Sequence, residues 1–562
     1  HDELRADHET ASKAVRDLDQ DVVVAAGAGT GKTYSLVLRY LEALADGHTP
    51  DEILCVTFSR KAAAEMTHRI RRALLGGLCG EADSDDMQEV VDRIVEDQGR
   101  GRLRRTLFQL SGAPISTIDS LAGDILRAAE DLDEASGGGA DYEIVSGGAA
   151  EEEVERFVLQ RFYDGLEEGD GRLDWLLGAI TPDKLRQYLV EAVKNYSPRS
   201  KLSVDDVGKL EEELVDSWGQ IGAYLEDEVW EGTLRDLAPT AARLVSVAAE
   251  WSEQLRERMK ARGRLRYGDV LELATEKLTD EALVEGLAAE FPFRHIFVDE
   301  LQDTSEGQVE MLERLADVAE QADGFDAPRQ FWVGDRKQSI YQFRNADVDV
   351  FERLIEEARQ GGDWTVGRLT ENRRSRPELI RAINALFSRL HPAGWDAGEG
   401  ESEDPGTEIR YEPLTWPEGL AKSARFEGPP VEVIAAPDKG WARNFDEDED
   451  VDALLRDSVA RRVGGLLEEA DVQEREDDGA AVAVLVTRWS DAEDYGDALA
   501  DYGIEAVIEG GNGLLERRET LVLRRWLEAA LFPDRQTALV AALQGAGFGC
   551  SSTGLYCLRK GW

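Results

Sequence analysis

Short apolar runs recur along the chain, and each is followed by a stretch whose apolar residues fall every three or four positions. Val22, Val23 and Val24 form the first run, residues 34–44 then keep a helical period, and Ile53, Leu54, Cys55 and Val56 form a second run. Runs this short, with no polar alternation, predict strands buried on both faces. Their alternation with helices predicts a parallel sheet. Residues 150–290 hold the helical period with few strand signals. Strand signals return at residues 295–298 and 330–333, and a further strand–helix unit opens at residues 482–486. Three acidic, glycine-rich stretches, at 134–141, 394–406 and 444–452, predict surface loops. There is no internal repeat. The pattern predicts one α/β core interrupted by a helical insertion, with a second α/β core after it.

Composition sharpens this reading. The chain has 562 residues, enough for three or four domains with sizeable cores. Hydrophobic residues make up 42% and charged residues 32%, as expected of a folded globular protein. No apolar run is long enough to span a bilayer and no signal-peptide pattern opens the chain, so a membrane partner is not expected. The four cysteines form no paired motif, which argues against a zinc ribbon, an iron–sulfur cluster or a disulfide scaffold. A reducing cytoplasm is the expected compartment. Against 65 Lys and Arg stand 115 Asp and Glu, a net charge of −50. The acids are spread over the whole length and the bases are mostly arginine. This is the composition of a protein adapted to high salt, with an ordinary acidic protein as the alternative. Summed charge does not exclude a nucleic-acid partner, because a local groove can carry the opposite sign.

The first apolar run leads into Ala26, Gly27, Ala28, Gly29, Thr30, Gly31, Lys32 and Thr33, and then into a helix. A glycine-rich turn between a strand and a helix N-terminus offers backbone N–H groups to phosphates. In such a loop Lys32 reaches the β- and γ-phosphates and Thr33 holds Mg²⁺, which makes ATP and Mg²⁺ the expected ligands. The run at 295–298 ends in Asp299 and Glu300, followed by Gln302, Asp303 and Thr304. Acids at the end of a strand are often only solvated. Paired with a phosphate loop, Asp299 suits Mg²⁺ and Glu300 suits a water-activating base.

Several further blocks carry a resemblance. They are residues 57–66 (TFSRKAAAEM), 116–121 (STIDSL), 299–304 (DELQDT), 333–344 (VGDRKQSIYQFR), 369–375 (LTENRRS) and 482–488 (VAVLVTR). In this order they resemble the UvrD/Rep-like superfamily 1 DNA helicases, most nearly the RecB/AddA branch of helicase–nucleases, in a haloarchaeal form. Asp119 stands where the family has His, and Ala26 replaces the first loop glycine. The resemblance implies that Gln338 senses the γ-phosphate and that Arg374 is an arginine finger. It implies that Arg373 replaces an aromatic that stacks on adenine, a role a guanidinium plane can take. The family's adenine-reading Gln would fall near Ala11, where none is found. For DNA, the resemblance offers Phe58, Tyr341 and Phe343 as stacking faces, Arg60 and Arg344 as phosphate partners, and Thr117 and Ser120 as hydrogen-bond donors. Core packing is an equal alternative for Phe58 and Tyr341. The basic stretch from Arg256 to Arg266 either lines the DNA path or is a solvated helix face.

The implied fold is a P-loop α/β NTPase with two RecA-like cores, largely helical insertions and an incomplete second core. The first core is expected at 1–130 and 291–368, with its insertion at 131–290. The second is expected at 369–510, and the start of a second insertion at 511–562. Two late family motifs are not found before Trp562, so the sequence is expected to be a C-terminally truncated piece of a longer protein. The implied activity is ATP-dependent DNA unwinding or translocation of 3′→5′ polarity in repair or recombination. Its partners would be single-stranded DNA, or duplex with a single-stranded end, and a helicase–nuclease partner subunit. The alternative is an ATP- and DNA-binding fragment or scaffold without unwinding. A transporter ATPase or kinase is a third reading, to which residues 110–113 (LSGA) give a faint echo and the 333–344 block gives no place.

Overall fold

The computed structural model describes residues 2–82, 84–135, 142–145, 148–195, 207–210, 228–322, 324, 326–339, 348–361, 364–390, 413–417, 431–433, 451–469 and 482–508, with single positions between 523 and 543. The chain divides into two compact units, His1–Ala421 and Lys422–Trp562. The three acidic loops fall largely outside the described residues.

In the first unit, β1 (Asp21–Ala26), β2 (Ile53–Thr57), β3 (Ile115–Thr117), β6 (His295–Val298), β7 (Arg329–Gly334) and β8 (Trp364–Leu369) form one parallel sheet in the order β3-β2-β6-β7-β1-β8. Side chains alternate along each strand. Val22, Val24, Cys55, Phe297, Phe331 and Val333 face one hydrophobic cluster, and Val23, Leu54, Val56, Ile296, Val298 and Trp332 face the other. The first cluster is covered by α1 (Asp2–Arg16), α2 (Lys32–Ala45), α3 (Arg60–Cys79), α4 (Asp85–Gln98) and α5 (Arg100–Gln109). The second is covered by α6 (Ile118–Ala135) and the helices Tyr267–Leu278, Glu306–Gln321 and Val348–Gly361. Burial on both faces is why these strands read as unbroken apolar runs.

The expected strands at 22–24, 53–56, 295–298 and 330–333 are all present, as is the helix at 34–44. The segment between α6 and β6 is largely helical, with helices Gly148–Glu168, Gly171–Ala179, Pro182–Asn195 and Glu228–Lys260 packed around Trp251. Two short strands there, β4 (Glu143–Val145) and β5 (Arg264–Arg266), pair in parallel.

Arg39 on α2 is fully buried. Its guanidinium donates to the carbonyls of Ala14 (2.9 Å), Asp17 (2.8 Å) and Gln20 (2.8 Å). It thereby caps the end of α1 and the turn into β1. Burial lowers its pKa to about 10, still charged at neutral pH.

In the second unit, helices Val451–Glu469 and Trp489–Asp501 pack through Ala460, Val463 and Leu499, with Val482 and Val484 against them. Residues 482–486 differ from expectation. They belong to no strand among the described residues, and Leu485 is almost fully exposed. Among the described residues, no helix is long and apolar enough to cross a membrane.

Candidate functional site

The site forms at the carboxyl ends of β1, β2, β6 and β7. After β1 the chain turns through Gly29 (φ 73°) and Gly31 (φ 101°), both left-handed, before α2 starts at Lys32. Gly29 is needed for space as well as conformation. A Cβ there would lie 2.6 Å from Asn372 Nδ2 and 2.8 Å from Arg374 Cβ. The segment after β8 grips this turn: Asn372 Nδ2 donates to Ala28 O (2.6 Å) and Arg373 N donates to Gly29 O (2.9 Å). Thr30 closes the turn on itself, its hydroxyl donating to Gly27 O at 2.8 Å.

Lys32 Nζ lies 2.6 Å from Glu300 Oε2. Glu300 follows β6 in a left-handed conformation (φ 53°), the one non-glycine residue with positive φ among the described residues. Such a backbone costs on the order of 1–3 kcal/mol and persists where the surroundings hold it. Here Gln302 Nε2 donates to Glu300 Oε2 (2.8 Å), Gln302 Oε1 accepts from Asp335 N (2.7 Å), and Gln338 Nε2 donates to Asp335 Oδ2 (2.7 Å). A continuous polar chain therefore runs from Lys32 through Glu300, Gln302 and Asp335 to Gln338. Sequence reasoning placed its ends and missed Gln302 and Asp335 as the links, and Asn372 as the clamp. All three lie inside the quoted blocks, which was the available signal.

The carboxylates here outnumber their countercharge. Asp299 is 5% exposed, and burial first, then Glu300, raises its pKa to about 6, against the pull of Lys32. Asp303 is raised to about 6 for the same two reasons, and its Oδ1 is buried without a partner, as is Thr57 Oγ1 at the end of β2. Orphaned oxygens and reluctant carboxyls fit a divalent cation. No cluster of three or more His, Cys, Asp or Glu side chains among the described residues could hold a metal ion alone. Mg²⁺ binds through one or two protein oxygens plus substrate phosphates.

Arg373 and Arg374 are both exposed beside the turn. The Arg373 guanidinium donates to Glu371 Oε1 at 2.9 and 3.1 Å. Phe58 and Arg60 follow β2, Thr117 ends β3 and Ser120 lies in the first turn of α6, with Thr57 and Thr117 in register. These four therefore share the sheet end that carries Lys32. Thr117 Oγ1 accepts from Ser120 N (3.2 Å), so it caps α6. Tyr341, Phe343 and Arg344 lie outside the described residues. In the basic stretch, Arg256 pairs with Glu253 and Glu272, Arg262 and Arg264 with Glu153, and Arg266 with Asp269. Four of its six bases are thus ion-paired within the fold, and Arg258 donates to Gln160.

A parallel α/β core with this loop and these acids places the chain in a known class: it belongs to the UvrD/REP helicase family, whose N-terminal domain matches residues 7–359. Among individual proteins, it is similar to an ATP-dependent helicase/nuclease subunit of Lysinibacillus sphaericus (strain C3-41), 25% identical over 508 aligned positions that cover 67% of this chain and 39% of the relative. The protein of the same name from Lactobacillus delbrueckii subsp. bulgaricus is 24% identical over 98% of this chain and 53% of its own length. That from Geobacillus thermodenitrificans (strain NG80-2) is 23% identical over 97% and 52%. The chain spans about half the length, or less, of these curated relatives.

Proposed function

We propose that this chain is the motor part of an ATP-dependent DNA helicase or translocase that works in DNA repair or recombination beside a helicase–nuclease partner subunit. The observation that carries the reading is the 2.6 Å pair of Lys32 and Glu300, joined by hydrogen bonds to Gln338. In this reading residues 26–33 form a P-loop that cradles the phosphates of ATP. Lys32 leaves Glu300 for the β- and γ-phosphates. Glu300, held by Gln302, then orients the attacking water and takes its proton. Thr33 and Asp299 hold Mg²⁺, which when bound neutralises phosphate charge. Gln338 reports the γ-phosphate through Asp335 and Gln302, and Arg374 adds positive charge to the transferring group. Arg373 faces the base. Phe58, Arg60, Thr117 and Ser120, with Tyr341, Phe343 and Arg344, contact single-stranded DNA, whose polarity of travel we take as 3′→5′.

The architecture in this reading is two RecA-like cores, the first at 1–130 and 291–368 around an insertion at 131–290. The second is at 369–510, with a further insertion starting at 511. The coverage of about half the relatives' length favours one second reading, an ATP- and DNA-binding segment that does not unwind by itself. ATP turnover in high KCl, with and without single-stranded DNA, tests both. DNA-stimulated turnover is expected. Lys32→Ala should abolish it, and Glu300→Gln should lower kcat by about 10²–10⁴-fold. Binding of ATP and DNA without turnover would select the second reading. Turnover indifferent to both substitutions would refute the site.

A further inference from the structure

A cavity of about 410 Å³ lies towards the amino ends of β7 and β8, away from the phosphate turn. Gln330 and Trp332, two apart on β7, share one face of the sheet and line it, with Trp364 at the start of β8 beside them. The two indole rings meet edge to face, with centroids 5.5 Å apart. Glu313 and Asp317 line it from helix Glu306–Gln321, and Glu357 from helix Val348–Gly361. Trp332 is 1% exposed, yet its indole N–H has no acceptor, and the Gln330 amide oxygen is buried without a donor. Leaving a buried donor and a buried acceptor unpaired is costly, and hydroxyl groups, which both accept and donate, satisfy the two together.

The carboxylates of the cavity set its charge. Asp317 and Glu357 have arginines on their own helices, Arg314 at 3.4 Å and Arg353 at 3.3 Å. Exposed pairs of this kind bind each other weakly. Burial raises the pKa of the partly buried Glu313 carboxyl; Arg353 opposes this, and Glu357, Asp317 and Glu310 add to the rise. Three acids against two arginines leave room for one more cation. We propose that this cavity binds a hydroxylated primary amine of the amino-sugar class, with its hydroxyls on Trp332 and Gln330 and its ammonium among Glu313, Asp317 and Glu357. An ammonium brings three donors to the three carboxylates, and the Trp364 ring gives the cation a π face. The volume falls in the range of about 300–1,000 Å³ common to ligand sites. An alkylamine leaves the Trp332 N–H and the Gln330 oxygen unpaired, and a neutral sugar leaves the negative charge uncompensated.

The test is a ligand-observed NMR titration of the full chain in KCl and phosphate buffer with glucosamine, glucose and cyclohexylamine, for wild type, Trp332→Phe and Glu313→Gln. Glucosamine should bind saturably, roughly tenfold or more tighter than either control. Trp332→Phe keeps an aromatic ring and removes the N–H. It should weaken glucosamine about fivefold and leave cyclohexylamine unchanged. Glu313→Gln should cut the margin of glucosamine over glucose about threefold or more. Either variant suffices if the other does not fold. Cyclohexylamine as tight as glucosamine would overturn the role of the hydroxyls, and glucose as tight would overturn that of the amine. Margins unchanged in a folded variant would put the binding elsewhere and overturn the site. No saturable binding of glucosamine would mean that water alone fills the cavity, which overturns the proposal and leaves the nucleotide reading standing.

Discussion

Lys32 offers one positive charge to Asp299, Glu300 and Asp303, and that imbalance has a thermodynamic signature. The Asp299 carboxyl has a folded pKa of about 6, above its ordinary 3.8. Between those values the folded state holds the proton more tightly than the unfolded state does. Stability is therefore lost as pH rises from about 4 through about 6, and the penalty persists at neutral pH. Asp299→Asn removes it. Urea denaturation without Mg²⁺ should show the variant more stable than wild type at pH 8, by on the order of 1–3 kcal/mol. The gain should shrink below pH 6 and vanish near pH 4. An equal difference at all pH values would show that the carboxyl carries no such penalty.

At the scale of elements, the loop and the segment after β8 depend on how α1 and α2 are fixed. Arg39 satisfies three carbonyls at the turn from α1 into β1. Arg39→Met keeps the aliphatic body and abandons those acceptors. We expect a loss of about 2–4 kcal/mol in chemical denaturation, since buried carbonyls left unpaired cost more than an average hydrogen bond returns. A loss under about 0.5 kcal/mol would mean that water replaces the guanidinium. Nothing in the local sequence announces this residue, because its partners lie 19–25 positions away. The same distinction runs through the fold. β1, β2, β6 and β7 were legible because burial on both faces writes itself as an apolar run. β8 was not singled out, because it is an edge strand broken by Gly367 and Arg368. Lys32, Glu300 and Gln338 were legible from their blocks, whereas the links Gln302 and Asp335 became visible only when residues 33 positions apart met. The arginines of the 256–266 stretch were ambiguous for a similar reason, since Glu153, which pairs with two of them, is more than 100 positions away.

For the whole molecule, a net charge of −50 means that the folded chain repels itself. The Debye length falls from about 10 Å at 0.1 M salt to about 3 Å at 1 M, so added KCl should relieve this strongly. The thermal midpoint should rise by roughly 5–10 °C between 0.1 and 2 M KCl, measured by circular dichroism. A flat response would mean that the acidic surface carries no adaptation to salt. The strand order has a consequence of another kind. β1 and β2 are made before β6 and β7, yet they never touch in the sheet, because those two later strands lie between them. β2 ends at Thr57 and β6 begins at His295, a stretch that a ribosome takes roughly 10–50 s to synthesise. For most of that time the largely apolar β1 has neither of its sheet neighbours, and β2 has β3 alone. The phosphate loop is translated long before the segment after β8 that closes around it.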